Sequence, residues 1–176
     1  NPMMKYLVTA LLLCAGPCLA DVRLPKILGS NVVLQRDSEV KIWGWADAGE
    51  EVRITCDWLD REASVNADAN GNWQVSIKTG KAGRPHTMTI AGKNSITLEQ
   101  ILFGEVWLGS GQSNMEMPLV KVSGAYTGIK DAAPEVARAR PPQIRLFLAG
   151  TFSSTEPLDD VQTGITRDGR PRATGP

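Results

Sequence analysis

Ser113 stands in "GSGQSNMEMP", residues 109–118, among small and polar residues directly after an apolar run. A serine hydroxyl is a weak nucleophile until a neighbouring base takes its proton. The chain holds a single histidine, His86, and it lies upstream. Gly109 and Gly111 permit a tight turn before the serine. In such a turn the backbone N–H of Ser113 can face the oxyanion of an acyl-transfer intermediate, with the Asn114 amide close by. Met115 occupies the place of the second glycine of G-x-S-x-G, so this is not that nucleophile elbow. Spacing alone serves an ordinary Ser/Asn helix cap equally well.

The elements around the serine belong to a strand–turn–helix–strand pattern. "ILFGEVWLGS" is a nearly continuous apolar run, as a strand buried on both faces requires. "DAAPEVARAR" has helical grammar: Pro134 suits a first turn, Glu135 the N-terminal end, and Arg138 and Arg140 the C-terminal end. "QIRLFLAG" reads as a second buried strand, and the whole as the opening of a βαβ unit in a parallel sheet. In such sheets reactive groups sit just beyond the carboxyl ends of strands, which is where Ser113 falls.

Residues 21–102 have a different grammar. "EVKIWGW" and "EVRITC" alternate polar and apolar residues, and "NWQVSI" puts Trp73, Val75 and Ile77 on one face. "HTMTIA" and "NSITLEQ" do the same with Met88 and Ile90, and with Ile96 and Leu98. Turn clusters separate them, and Asn70-Gly71 is the strongest hairpin signal. Short strands at near-regular spacing predict a small antiparallel β-sandwich. His86, after Arg84-Pro85, reads as a surface or strand-edge histidine. Trp43, Trp45 and Trp73 read as packing residues, with a sugar-stacking platform as the alternative.

Nineteen basic and nineteen acidic residues cancel, so charge makes no case for nucleic acid or an anionic membrane. With 42% hydrophobic and 22% charged residues the composition is globular. "MMKYLVTALLLCAGPCLA" has one positive charge, an apolar run and small residues ending at Ala20, the pattern of a secretory signal peptide over residues 1–20. The apolar run is shorter than the ~20 residues that span a bilayer. The expectation is export, to a secreted or periplasmic location, with no membrane association after cleavage. Cys14 and Cys18 leave with that segment, and Cys56 continues the apolar set Val52 and Ile54 as a buried structural thiol.

The block "GEVWLGSGQSNMEMPL" resembles the nucleophile block of the sialate O-acetylesterase family, serine esterases of the SGNH type. "LPKILGSNVVLQRD", "VKIWGWADAGEEV" and "ADANGNWQVSI" resemble that family's N-terminal region in order, and "IRLF" and "PLDDV" continue the match. The likeness runs over roughly residues 24–161.

The resemblance implies a small antiparallel β-sandwich over 21–102, then the truncated β-α-β start of an SGNH-type α/β hydrolase domain over 103–161. It implies that Ser113 is the catalytic nucleophile, with its own N–H in the oxyanion hole. It further implies an O-acetylated sugar or sialic acid as substrate and no metal or organic cofactor. The family's later oxyanion donors and its Asp-x-x-His block have no counterpart here, and Gly109 stands where the family often has cysteine. Residues 162–176, "QTGITRDGRPRATGP", lack apolar periodicity and read as an irregular tail; a shift of reading frame near residue 162 would account for it. The expectation is an N-terminal piece of an exported carbohydrate O-acetylesterase, inactive alone. The alternatives are a non-catalytic carbohydrate-binding or interaction β-sandwich and a xylan or plant-polysaccharide acetylesterase.

Overall fold

The computed structural model describes residues 21–112, 115, 117–139, 143–150 and 154–161. Residues 1–20, expected to be a signal peptide, and Ser113, Asn114, Arg140 and the 162–176 tail lie outside the described residues. The element order is β1 Val33–Gln35, β2 Glu39–Trp45, β3 Glu51–Cys56, β4 Ala63–Asn66, β5 Asn72–Lys78, β6 His86–Ala91, β7 Ser95–Gly104 and α1 Ala132–Arg138.

Strand alternation produces the two faces that the sequence requires. β3 buries Val52, Ile54 and Cys56 and exposes the residues between them. β5 turns Trp73 and Ile77 inward, and β6 does so with Met88 and Ile90. A five-stranded sheet of order β1-β7-β6-β3-β4 and a two-stranded sheet β2-β5 share one core between them. Ile42, Ile54, Ile77, Met88, Ile90 and Ile101 are among its fully buried side chains.

Three features depart from the sequence reading. β1 pairs with β7 in parallel, Val33 opposite Leu102 and Gln35 opposite Gly104, so the sandwich is not wholly antiparallel. The register between β6 and β7 shifts between His86 and Met88, and Gln100 there has φ 57. That irregularity lets one long strand pair with β6 and then with β1. The Asn70-Gly71 turn makes no hairpin: β4 pairs with β3, while β5 pairs with β2 in the other sheet. Asp68 is the reason. Its carboxylate accepts the N–H groups of Asn70 and Asn72, both at 2.8 Å, turning the chain from one sheet to the other.

The apolar run after residue 101 also behaves differently from the doubly buried strand expected of it. Ile101, Leu102 and Phe103 are buried in β7, which ends at Gly104. Trp107 and Leu108 are 87% and 94% exposed. "QIRLFLAG" likewise forms no strand among its described residues, and Leu146 is 85% exposed. The β-rich part of the expected architecture is therefore present, whereas no parallel α/β start is seen among the described residues. The helix is where its signals put it, with Pro134 and Glu135 in the first turn and Arg138 in the last. It buries no residue. Among the described residues no helix is long and apolar enough to cross a membrane.

Candidate functional site

The stretch leading to Ser113 leaves the sheet at a fixed point. β1 ends at Gln35 and β7 at Gly104, and these residues face each other across the parallel pair. Gln35 Nε2 donates to Glu105 Oε2 at 3.1 Å, and Gln35 Oε1 accepts the Val106 N–H at 3.0 Å. Arg36 Nε donates to Glu105 Oε1 at 2.7 Å, and the Arg36 N–H donates to Gly104 O at 3.0 Å. The hydrogen bond from Gln35, then the hydrogen bond and charge of Arg36, hold the Glu105 carboxyl below its usual range. Both partners of the ion pair are half exposed, so its value lies in orientation more than in stability.

Ser113 lies outside the described residues, so its geometry is not part of this structure. Its described neighbours show what the glycines permit. A Cβ at Gly109 would lie 3.0 Å from Met115 Cε, and one at Gly111 would lie 3.2 Å from Met115 Cγ. The Met115 N–H donates to Gln112 O at 2.9 Å. Sequence reasoning did not find Gln35, Arg36 or Glu105. The signal was available: Arg36 in "LQRD" and Glu105 in "GEV" lie in two separate motifs and carry opposite charges.

His86 is neither on the surface nor close to being free. It begins β6, as expected of a strand-edge residue, but its side chain is only 11% exposed. Nδ1 lies 2.7 Å from Asp57 Oδ1, and the ring stacks on Phe103 at 4.4 Å between centroids. Trp58 meets both rings edge-on. Arg84 donates to the other Asp57 oxygen at 2.9 Å. Burial pulls the Asp57 pKa up, but the hydrogen bonds and charges of His86 and Arg84 outweigh it and leave it lowered. This cluster is a structural clip at the edge of the sandwich. Cys56, next to it, is a core residue whose thiol is pushed up to about 12 by burial and by the Asp57 charge, which makes it unreactive.

The three strand tryptophans divide. Trp73 is 3% exposed and belongs to the core, the packing role expected of it. Trp43 is 37% exposed and Trp45 partly so, and together they line a cavity of about 430 Å³.

A β-rich domain whose last strand hands over to a glycine- and serine-containing loop defines the class of protein as far as geometry reaches. No family model matches the chain. Sialate O-acetylesterase from Mus musculus is 28% identical over 149 residues, covering 79% of this chain and 26% of that protein. The Homo sapiens sialate O-acetylesterase is 29% identical over 150 residues, covering 79% of this chain and 27% of that protein. Among solved structures, a carbohydrate acetylesterase from Xanthomonas citri matches with a TM-score of 0.69 and 32% identity, covering 81% of this chain and 31% of that one. Over these residues the chain is similar to sialate O-acetylesterases and to a carbohydrate acetylesterase, the likeness that its motifs carry. It spans about a quarter of the length of the curated relatives it matches.

Proposed function

We propose that this chain supplies the nucleophile-bearing N-terminal part of an exported serine esterase that removes acetyl groups from sugars. The observation that carries the reading is agreement among its relatives: sialate O-acetylesterases and a carbohydrate acetylesterase share one chemistry, acetyl-ester hydrolysis on carbohydrate. The "GQSN" block, with Ser113 after Gly109 and Gly111 and before Asn114, supplies the residue for it.

In this reading Ser113 Oγ attacks the acetyl carbonyl carbon while a base takes its proton. The tetrahedral oxyanion is met by the Ser113 N–H, and the sugar hydroxyl leaves with a proton. Water then hydrolyses the acetyl-enzyme. The Gln35–Arg36–Glu105 network fixes the strand exit from which this loop departs. The 176 residues contain no Asp-x-x-His, and His86 is committed to Asp57, Phe103 and Trp58, so the base is to be sought in sequence beyond these residues.

The test is made in a full-length protein that includes these residues. Its hydrolysis of a model acetyl ester should fall by at least about a thousandfold in Ser113→Ala, because alanine removes the attacking oxygen and keeps the backbone N–H. Retention of most of the activity in that variant would reject Ser113 as nucleophile.

A further inference from the structure

The cavity on the outer face of the β2–β5 ribbon has no role in the chemistry assigned to Ser113. Strand alternation puts Trp43 and Trp45 on the solvent side of β2, two residues apart. Antiparallel pairing sets Gln74 opposite Trp43 and Asn72 opposite Trp45. Asp68, from the turn between the two sheets, and Asp159 complete the polar wall. Arg23 lies over the Trp45 ring at 5.4 Å from its centroid, a contact that holds the indole in place. Asp159 is brought to this wall by a segment whose next residue, Asp160, accepts the Lys26 N–H at 3.2 Å.

Behind the groove, Trp73 lies opposite Gly44 on the inner face of the ribbon, in the core. Gly44 explains how the indole fits. A Cβ at that position would lie 2.8 Å from Trp73 Cζ2 and 2.2 Å from Arg23 O, so only glycine admits the indole beneath the ribbon.

We propose that this cavity binds a neutral pyranose sugar, its apolar C–H face on Trp43 and Trp45 and its hydroxyls on Asp68, Asn72, Gln74 and Asp159. The groove is open and shallow, about 430 Å³, so it can take one face of a sugar and leave the other in water. Aromatic faces combined with amides and carboxylates suit a ligand that is apolar on one side and hydroxylated at its rim. The charge of the wall selects within carbohydrates. Hydrogen bonds from the backbone of Asn72 and Asn70 hold the Asp68 pKa low, and the two carboxylates of Asp68 and Asp159 outweigh Arg23 at the Trp45 ring and repel a carboxylated sugar. The site therefore holds a neutral part of a glycan. It extends the carbohydrate reading above but shares no residue with the Ser113 loop, so either can fail without the other.

The test is titration of the 176-residue chain with cellotetraose and with xylotetraose, followed by the indole N–H resonances and saturation transfer to the sugar. At least one should shift the Trp43 and Trp45 indole signals. Trp43→Ala should weaken that binding about tenfold, and Gln74→Ala severalfold, with the core amide signals unchanged. Ser113→Ala should bind like the parent chain, which separates this site from the esterase reading. N-acetylneuraminic acid should bind at least about tenfold more weakly than the neutral sugar. The proposal is overturned if neither neutral sugar perturbs the indoles, or if Trp43→Ala and Gln74→Ala both bind like the parent.

Discussion

Residues 21–104 and the described residues of 105–161 are equally rich in apolar side chains at key positions, yet they use them in opposite ways. In the first region every strand turns its apolar set into one shared core, and Val52, Ile54, Ile90 and Ile101 are wholly buried. In the second, Val106, Trp107, Leu108, Ile144, Leu146, Phe147 and Leu148 are exposed, and α1 buries nothing. Local signals are sufficient to make a helix of Ala132–Arg138, because a first-turn proline, the terminal charges and the Glu135–Arg138 pair act within one turn or so. They do not give that helix a place, because position comes from tertiary packing of an apolar face. An apolar run is therefore a statement about what a segment can bury. A second surface must exist before the burial occurs.

The largest expected effect breaks this comparison at its centre. Ile54→Ala, at a fully buried position between β4 and β6, should cost about 2–5 kcal/mol in chemical denaturation. Leu146→Ala should change stability by less than about 0.5 kcal/mol, since that side chain is already in water. Comparable losses at the two sites would mean that the outer segment is packed as firmly as the sandwich.

The contrast also explains what was legible in the sequence. The strands β2, β3, β5, β6 and β7 were readable because a half-buried strand must alternate, and theirs do. β1 and β4 were missed because three or four residues are too short to display a period. Pairing was not legible at all in one case: the turn at Asn70-Gly71 has hairpin residues, but Asp68 commits it to joining two sheets. "ILFGEVWLGS" was read as one strand because hydrophobicity alone does not mark where β7 ends. The end is set by Gln35, Arg36 and Glu105, polar residues whose pairing is long-range and so invisible to any local window. The same holds for His86, whose partners Asp57, Trp58 and Phe103 come from separate parts of the chain. Ser113 was legible as a candidate from its immediate neighbours and from the family resemblance, and it lies outside the described residues.

A smaller effect sharpens the comparison at the junction between the two sheets. Gly71 has φ +81, and a Cβ there would lie 2.5 Å from Ala46 O. Gly49 has a similar φ of +77, but nothing lies within 4 Å of where its Cβ would be. Gly49→Ala should cost about 1 kcal/mol, the price of a left-handed backbone alone. Gly71→Ala should cost more, about 2–3 kcal/mol, since Ala46 O must also move away from the new Cβ. Thermal unfolding of the two variants side by side measures the difference. Equal costs would show that the carbonyl yields freely and that the junction is softer than the core beside it.

The smallest effect lies at the edge of the dense region, where Asp57 ties His86 and Arg84 to the end of β3. Because its pKa in the folded chain is below the ordinary carboxylate value, the folded state holds this proton less tightly than the unfolded state does. Stability from the ionised carboxylate is then fully present above the unfolded value of about 3.9 and is lost as pH falls through the lowered folded value. Asp57 is about a third exposed, and solvent screening limits the contribution to on the order of 1 kcal/mol or less. Asp57→Asn should therefore be less stable than the parent chain near neutral pH. The gap should close below about pH 4 as the parent's carboxyl takes up its proton and becomes, like asparagine, neutral. Denaturation curves for both chains across that range decide the matter. A gap that stays constant down to the acid limit would mean that Asp57 acts through shape and hydrogen bonding alone, with no contribution from its charge.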